Sequence, residues 1–598
     1  MVWQTGQKIS FSEFLYRQGK IVVIFIILFL LLSVRLFYLQ VLRGDYYRRI
    51  SEQQRIFSVN EQAPRGIIYG ADGSMLVQNT LTYSVVFYPF DKSGMPTDLV
   101  INELNSILKK DIRPYLEESM KTGKMVVISE NISTYDMFRI RENRLNLNGV
   151  HVLEFAQRLY NNPGANSHIF GYTGEITKEE LAAARGADYK QGDYIGRGGI
   201  EEAYDKYLRG IDGGWQIEVN VKGIQTSVFR YIPPVIGNSI YTTIDPKLQE
   251  AAYQGLSNSS TGRGAVVVID VRSGAVKALV SAPSFDANRV KAEDFAQYLK
   301  DRKLPLYNRA TQALYAPGSI FKIVGFAAAL ENGVDPKETK FCPGYFDLGN
   351  KRFLCWLHKG HGKVDLAEAL AQSCNVYFYN LALRLGINVI DEFAYRFHLG
   401  ELTGIDLPNE KRGFVPTPEW KRERARGKER GPWGQGDTVN VGVGQGALWV
   451  TPLQMAVMMA SVASKGTYYE PYIVDNIVSH DGKQLYAHKV KKGQPIKLAK
   501  RTWDLLHEAL IGTVERGTAR RLYFENIKVA GKTGTAQNPQ GDDHAWIVTF
   551  APADDPEIAI AVIVENGGGG SANAAPIARM VYEAYFEKRL AIKTNEDQ

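Results

Sequence analysis

The sequence predicts an α+β fold in which an antiparallel sheet is flanked by helices. Strand-like runs rich in Val, Ile and Ala lie at 264–270 and 275–281, and three more follow at 528–535, 545–550 and 557–565. Helical patterns occupy the chain between these two groups. Strands at both ends with helices between them are typical of one sheet covered by helices. At 598 residues, the chain has room for roughly two to four domains.

The composition is that of an ordinary globular protein, with 45 % hydrophobic and 23 % charged residues. The net charge of +7 fits a protein near an anionic membrane or an acidic polymer and does not require nucleic acid. Zinc-finger, Walker and Rossmann signatures are absent from the sequence, so we predict no nucleic-acid partner. The basic run 421–430 is interpreted as a solvated loop, with a partner or lipid contact as the alternative.

The first element is an apolar run at 21–42, preceded by a short polar segment at 1–20. At about 1.5 Å per residue the run spans roughly 33 Å, enough to cross a bilayer. A cleaved signal peptide is the alternative, but Leu36-Phe37-Tyr38 offers no small-residue cleavage site. We therefore predict an uncleaved transmembrane helix. Basic residues before the run favour a cytoplasmic N-terminus.

The next region, 43–237, mixes short patterns of both kinds. Residues 63–73 indicate an extended segment that ends in a turn, 83–88 a strand and 98–108 a helix. The region contains no recognisable pair of nucleophile and base. Because the sequence character changes at 238, we place a domain boundary there and expect the chemistry in 238–598.

Ser319 and Lys322 lie three residues apart at the start of a predicted helix, 319–330, which Pro317 and Gly318 precede. Residues i and i+3 share a helix face, so the amine can reach the hydroxyl. Burial in this apolar helix lowers the pKa of the lysine and makes it a general base beside a nucleophile. On spacing alone, a capping serine with an unrelated lysine explains the pair equally well.

Two further motifs resolve that ambiguity, Ser373-Cys374-Asn375 and Lys532-Thr533-Gly534. S-x-x-K, then S-x-N, then K-T-G is the signature set of penicillin-binding proteins and serine β-lactamases. The segments APRGIIYG, NSHIFGYTGE and GRGGIEEAYDKYLRG resemble the pedestal of class B, monofunctional penicillin-binding proteins. GHGKVDLAEAL and PWGQGDTVNVGVGQG resemble the elongation type, penicillin-binding protein 2.

The resemblance implies a serine-type peptidoglycan D,D-transpeptidase that β-lactams inhibit covalently. Ser319 would attack the carbonyl between the two terminal D-alanines of a stem peptide, and Lys322 would take its proton. Ser373 would relay a proton toward the leaving D-alanine, and Asn375 would bind the amide of the donor peptide. A D,D-carboxypeptidase, in which water replaces the acceptor amine, and a non-catalytic β-lactam sensor or scaffold stay alternatives.

The same resemblance implies a site for the terminal carboxylate of the substrate and an oxyanion hole. Backbone N–H groups of Ser319 and Thr535 would form the oxyanion hole. The terminal carboxylate would be held by the residues of the third motif, Lys532, Thr533, Gly534 and Thr535.

The resemblance also implies the organisation of the chain: tail 1–20, anchor 21–42, pedestal of the dimerisation type 43–237 and transpeptidase domain 238–598. The enzyme would lie in the bacterial inner membrane with its catalytic domain in the periplasm. Its partners would be lipid-linked precursor strands and a SEDS-type membrane glycosyltransferase. Since the pedestal would couple to that partner, substitutions at Arg65 or at 196–199 are expected to spare acylation by penicillin but to reduce cell-wall synthesis with the partner.

Cys374, in the middle of S-x-N, departs from the usual pattern of the family. Together with Cys342, Cys355 and His361 it offers four ligands within one connection, which suits a closed, structural zinc site. His358 is a rival ligand; we prefer His361 because its flanking glycines let the backbone turn toward the cysteines. A Cys342–Cys355 disulfide with a free Cys374 stays an alternative, as does a cluster with neither metal nor disulfide.

Overall fold

The computed structural model describes residues 11–44, 46, 56–87, 97–122, 125–143, 147, 149–183, 189–219, 225–290, 292–425, 431–539, 541–587 and 590. The α-helices are α1 (Phe11–Phe37), α2 (Asp98–Leu108), α3 (Arg113–Thr122), α4 (Thr134–Glu142), α5 (Pro163–Phe170), α6 (Lys178–Ala183), α7 (Gly199–Ala203), α8 (Asp205–Leu208), α9 (Pro246–Ser257), α10 (Ala292–Lys300), α11 (Lys322–Glu331), α12 (Leu366–Ala371), α13 (Asn375–Leu385), α14 (Ile387–Arg396), α15 (Pro418–Ala425), α16 (Gln435–Gly442), α17 (Pro452–Ala463), α18 (Lys500–Glu515), α19 (Gly570–Asn573) and α20 (Ala575–Tyr585).

The strands are β1 (Ile56–Glu61), β2 (Ile68–Tyr69), β3 (Met75–Phe87), β4 (Val126–Ile132), β5 (Val150–Tyr160), β6 (Tyr172–Glu175), β7 (Tyr194–Arg197), β8 (Gly213–Val219), β9 (Gln225–Ile232), β10 (Ser239–Thr242), β11 (Gly264–Asp270), β12 (Val276–Ala282), β13 (Lys340–Cys342), β14 (Tyr345–Leu348), β15 (Lys351–Leu354), β16 (Gly362–Val364), β17 (Val474–Val478), β18 (Gln484–Ala487), β19 (Ala530–Ala536), β20 (His544–Ala551) and β21 (Ile558–Val564). Short 3-10 helices cover Gly318–Phe321 and Arg520–Leu522, and a π-helical turn covers Tyr38–Leu42.

The chain divides into two compact units. The first comprises Met1–Ala63, Leu81–Ala156 and Ile211–Val235, and the second comprises Pro64–Thr80, Gln157–Gly210 and Ile236–Gln598. Two stretches of the predicted pedestal therefore belong to the same unit as the C-terminal part of the chain. The domain limits drawn from the sequence, 43–237 and 238–598, stay a prediction.

The first unit contains the long N-terminal helix. Its segment Val22–Leu42 has 21 residues and a mean hydropathy of 2.8, and none of it is buried within the protein. Among the described residues it is the one helix long and apolar enough to cross a membrane. Length and composition therefore fit a single-pass anchor, as the sequence predicts.

A small apolar core holds the rest of the first unit together. The C-terminal half of β3 pairs antiparallel with β4, and buried side chains of α2 such as Ile101 and Leu104 pack with Val85 and Phe87 of the strand. The predicted helix 98–108 is confirmed with the same bounds. The predicted strand 83–88 is part of β3, and Tyr88 lies outside the described residues.

The second unit is built on a five-stranded antiparallel sheet with the order β12-β11-β21-β20-β19. Every residue of β21 is buried, since both faces of the sheet are covered. Ala559, Ala561 and Ile563 face the core that contains α17, whereas Ile560 and Val562 face the core that contains α9 and α20. The predicted sheet with helices on its faces is confirmed, and β19 is an edge strand.

Arg65 lies in the interior of the second unit. Its Nη2 atom is 2.7 Å from Glu201 Oε2 and 2.8 Å from Asp205 Oδ1. Glu201 is fully buried and also pairs with Arg158 at 2.7 Å. A Cβ atom added to Gly196 would lie 1.8 Å from the Glu201 carbonyl oxygen. Arg65 and Gly196 thus support the fold, and the expectation that substitutions there spare acylation but reduce cell-wall synthesis with the partner stays a prediction.

The basic run 421–430 is helical in its first half, where the sequence predicts a loop. Pro418 begins α15, and the Thr417 hydroxyl accepts a hydrogen bond from the Trp420 N–H at 3.2 Å, as a helix cap does. The remaining residues of the run, 426–430, lie outside the described residues.

Candidate active site

Ser319 lies in a 3-10 turn, Gly318–Phe321, that leads directly into α11. We call it the nucleophile turn because the sequence predicts Ser319 as the nucleophile. The sequence predicts one helix here, and the structure confirms it with a tighter first turn. Gly318 has φ of 55°, and its N–H donates to the Gly444 carbonyl at 2.9 Å. A Cβ atom at this position would lie 2.5 Å from the Thr535 carbonyl oxygen. Only glycine therefore lets the half-buried Ser319 approach β19 this closely.

The amino group of Lys322 connects the first motif to the second. It is fully buried and donates to Ser373 O at 2.9 Å, Ser373 Oγ at 3.3 Å and Asn375 Oδ1 at 2.7 Å. Burial lowers the pKa of Lys322 to about 8 because the charged amine loses its hydration. Among the described residues, Ser319 Oγ makes no hydrogen bond with Lys322 Nζ, and such bonds often tighten only when substrate binds.

The second motif occupies the sharp connection between α12 and α13. Ser373 has φ of 56°, and its N–H donates to Leu370 O at 3.2 Å, which ends α12. Asn375 begins α13, and its Nδ2 atom donates to Leu354 O at 3.3 Å. Both side chains of the motif are thereby held toward Lys322, with Asn375 also tied to the end of β15.

The third motif lies on the edge strand β19. Lys532 is fully buried, and its pKa falls well below the usual value because of burial and, to a lesser extent, the nearby charge of Lys322. Thr533 Oγ1 lies 2.6 Å from Thr518 Oγ1. A Cβ atom on Gly534 would lie 2.9 Å from Trp546 Cβ and 3.1 Å from Ile320 Cγ1, so glycine lets the strand pack against the nucleophile turn.

Thr535 presents its backbone to the nucleophile turn. Its carbonyl oxygen accepts from Gln445 Nε2 at 3.2 Å and faces Gly318. In an antiparallel strand the N–H and C=O of one residue point to the same side, so the Thr535 N–H also points away from β20. Sequence reasoning assigned no role to Gln445 or Thr518. Gln445 belongs to the glycine-rich segment 441–446, but nothing in the sequence marks Thr518.

The four predicted metal ligands come together in the structure. The ligand atoms of Cys342, Cys355, His361 and Cys374 all lie within 4.8 Å of one another. His361 Nδ1 is 3.5 Å from the sulfur atoms of both Cys342 and Cys355. All three cysteines are buried and free, and a hydrogen bond with Cys374 lowers the pKa of Cys355. His358 does not belong to the cluster.

The donor set fits zinc. Sulfur atoms bound to one tetrahedral zinc ion at about 2.3 Å lie roughly 3.8 Å apart, so only small shifts separate the cluster from a binding geometry. Cys374 lies between Ser373 and Asn375 in the chain, so the cluster adjoins the second motif.

Comparison with known families matches most of the chain. Residues 264–583 match the penicillin-binding protein transpeptidase domain, and residues 60–242 match the penicillin-binding protein dimerisation domain. The peptidoglycan D,D-transpeptidase MrdA of Haemophilus influenzae is 33 % identical over 595 residues, which cover 94 % of this chain and 90 % of the relative.

Solved structures agree with these matches. The complex of penicillin-binding protein 2 with MreC from Helicobacter pylori gives a TM-score of 0.74 at 26 % identity, covering 89 % of this chain and 99 % of that one. A peptidoglycan synthase complex, described as coordinating polymerization and crosslinking, gives a TM-score of 0.72 at 30 % identity. The match covers 96 % of this chain and 98 % of that one. The chain therefore belongs to the class B penicillin-binding proteins of the elongation type, and it is a serine-type peptidoglycan D,D-transpeptidase.

Proposed function

We propose that Ser319 is the residue acylated by the donor stem peptide and by β-lactams. The observation that carries this assignment is the convergence of two fully buried lysines, Lys322 and Lys532, on the half-buried serine turn. A buried lysine without a carboxylate partner is costly in a fold, and this arrangement makes sense if the amines serve chemistry.

Lys322 acts as the general base in this proposal. With a pKa near 8, a substantial fraction of the amine is neutral close to physiological pH and accepts the Ser319 proton. The hydrogen bond between Lys322 and Ser373 then provides a route by which the proton reaches the leaving D-alanine amine. Asn375, held by Lys322 and Leu354, binds the donor amide.

The edge strand β19 binds the substrate backbone and its carboxylate. Lys532, Thr533 and Thr535 hold the terminal carboxylate, and Gly534 keeps the strand close to Ser319. The N–H groups of Ser319 and Thr535 stabilise the oxyanion that forms when the serine attacks. The acceptor amine of a second stem peptide then takes the acyl group from Ser319, which completes the cross-link.

Peptide mapping after labelling with penicillin tests this assignment. We expect the label on the peptide that contains Ser319, and Ser319→Ala should abolish labelling while leaving thermal unfolding nearly unchanged. Ser284→Ala, at a serine outside the three motifs, is the matched control and should label normally. Full labelling of the Ser319→Ala protein would refute the assignment.

The cysteine and histidine cluster holds one structural zinc ion in this proposal. Four protein ligands leave no position open for water, so the ion contributes folding energy and no step of the reaction. Cys342 and Cys355 lie on the segment that follows the nucleophile helix, and Cys374 lies in the second motif. The ion would therefore fix this segment to the wall of the active site beside Ser373.

Metal analysis of the purified protein tests the zinc site, and we expect about one equivalent. Cys355→Ser should remove the metal and lower both the melting temperature and the acylation rate, and a strong chelator should have the same effect. His358→Ala is the control and should retain the metal. Less than about a tenth of an equivalent of zinc, with two thiols lost to a disulfide, would establish the oxidised pair instead.

The anchor places the N-terminus in the cytoplasm and the catalytic unit outside the inner membrane, where it acts with a SEDS-type glycosyltransferase. Support comes from the basic residues that precede the anchor and from the similarity to a peptidoglycan synthase complex. Co-purification from detergent with the glycosyltransferase tests the partner. A reporter enzyme fused after the last residue tests the orientation, and cytoplasmic activity of that reporter would overturn it.

A further inference from the structure

A cavity of about 900 Å³ lies in the second unit, outside the three catalytic motifs. Its lining includes four large aromatic rings, two basic side chains, one carboxylate and one amide. The volume of the cavity and its combination of aromatic and polar side chains fit a binding site for a small molecule or a short polymer segment. Six of the lining residues have side chains suited to contact such a ligand: Phe414, Trp420, Arg424, Trp433, Asn440 and Trp449.

The lining of the cavity begins close, along the chain, to residues that contact the active site. Gly444 accepts the hydrogen bond of the Gly318 N–H at 2.9 Å, and Gln445 donates to Thr535 O at 3.2 Å. The next residue, Gly446, lines the cavity. Gly446 is two residues after Gly444, so their Cα atoms are at most about 7.6 Å apart. The cavity lining therefore begins within that distance of Gly444, which holds the nucleophile turn.

The aromatic lining is held in place by specific contacts. Trp449 and Phe414 exchange two backbone hydrogen bonds, at 2.7 and 2.9 Å. Trp433 Nε1 donates to Thr438 Oγ1 at 2.8 Å, and the rings of Phe414 and Trp420 pack with centroids 4.9 Å apart. The Trp449 side chain nevertheless remains 41 % exposed. An exposed indole ring on a backbone held by two hydrogen bonds offers a flat surface for stacking at low entropic cost.

We propose that this cavity binds a glycan strand of peptidoglycan whose stem peptide reaches Ser319. This inference rests on the assignment of Ser319 as the acylated residue. Stem peptides are attached to a chain of N-acetylated sugars, so a strand whose peptide reaches Ser319 must pass along a surface next to the catalytic turn. The apolar C–H faces of pyranose rings stack on aromatic rings, and the Asn440 amide is available to an N-acetyl group.

Of the two basic side chains in the lining, Lys421 pairs with Asp437, which leaves the charge of Arg424 for an anionic ligand. Arg424 lies 5.5 Å from the centre of the Trp420 ring and has no carboxylate partner among the described residues. Stem peptides carry free carboxylates close to the sugar to which they are attached. A proline-rich peptide is the rival occupant, since such peptides also bind aromatic grooves. The sugar strand is favoured because the cavity adjoins the site where its own peptides react.

Direct binding of a peptide-free glycan tests the proposal. The probe is a tetrasaccharide of alternating N-acetylglucosamine and N-acetylmuramate, titrated calorimetrically into the full-length protein in detergent. We expect measurable binding by the wild type, about tenfold weaker binding by Trp449→Ala and near-normal binding by Trp449→Phe, which keeps a stacking ring. Tyr523→Ala, at another half-exposed aromatic residue, is the matched control and should bind like the wild type.

Two further measurements make the outcomes distinct. Melting temperatures show whether each variant folds, and penicillin labelling of the wild type reports on Ser319 independently of the glycan. Absence of glycan binding by a wild type that labels normally would overturn this inference alone. Equal binding by Trp449→Ala and the wild type, or capture of a proline-rich peptide in preference to the tetrasaccharide, would overturn it as well.

Discussion

At the scale of single residues, the proposed mechanism makes the reactivity of Ser319 depend on the protonation state of Lys322. Burial favours the neutral amine, because the charged form loses hydration that its three hydrogen-bond acceptors only partly replace. The pKa is lowered, so the amine is protonated and inactive as a base below about pH 8 and becomes competent above it.

We therefore expect the rate constant for acylation by penicillin to rise between about pH 7 and 9 and then to level off. Stopped-flow or quenched labelling over this range measures the profile. Lys322→Arg, which keeps the positive charge but cannot act as a base, should lower the rate constant at least about a hundredfold. A profile that stays flat through pH 8 would contradict the role of Lys322 as the base.

At the scale of secondary-structure elements, the active site depends on how closely the nucleophile turn approaches its neighbours. Gly318 contacts β19, and a Cβ atom on Gly444 would lie 2.1 Å from the Gly318 carbonyl oxygen. These two glycines let three segments meet where side chains would hold them apart. The position of Ser319 relative to the Thr535 N–H follows from that packing.

Gly318→Ala is expected to lower the acylation rate constant more than tenfold and to reduce thermal stability. The new methyl group would lie 2.5 Å from Thr535 O and would displace β19 or the turn. Gly333→Ala is a matched control, because Gly333 also has positive φ but has no atom within 4 Å of its Cβ position. Gly333→Ala should lower the free energy of unfolding by about 1–2 kcal/mol because of backbone strain. It should leave the rate constant for acylation unchanged.

At the scale of the whole molecule, buried charges join segments that are distant in the chain. Arg65 pairs with Glu201 and Asp205, and Arg158 pairs with Glu201 and donates to Gly66 O at 2.7 Å. This network joins 64–80 to 157–210 within the second unit. Because the charges are desolvated, the removal of one of them leaves the others uncompensated.

Arg65→Ala should lower the free energy of unfolding by about 3–5 kcal/mol, measured by chemical denaturation. The molecules that remain folded should still label with penicillin, because the network contains no atom of the active site. Arg141→Ala is the control, since its pair with Glu154 is nearly half exposed and should be worth no more than about 1 kcal/mol. An unchanged unfolding curve for Arg65→Ala would mean that the network does not stabilise the unit.

The sequence by itself determined the chemistry of this protein and the outline of its fold. The three motifs point to Ser319, Lys322 and Lys532 as residues of the acyl transfer, an assignment that stays a prediction. The order of strands and helices predicted one antiparallel sheet, and the length of the apolar run predicted the anchor. Each of these inferences depends on patterns within a few residues or on element order, which a sequence displays directly.

Only the tertiary structure decided which distant residues meet. It turned Lys322 toward Ser373 and Asn375, made Arg65 a buried structural residue, and placed Gln445 and Thr518 beside β19. The zinc ligands were proposed from their residue types and spacing, and the packing of β13, β16 and the second motif brought them together. Such contacts depend on the chain as a whole, because burial and charge compensation arise only when segments far apart in sequence pack against one another.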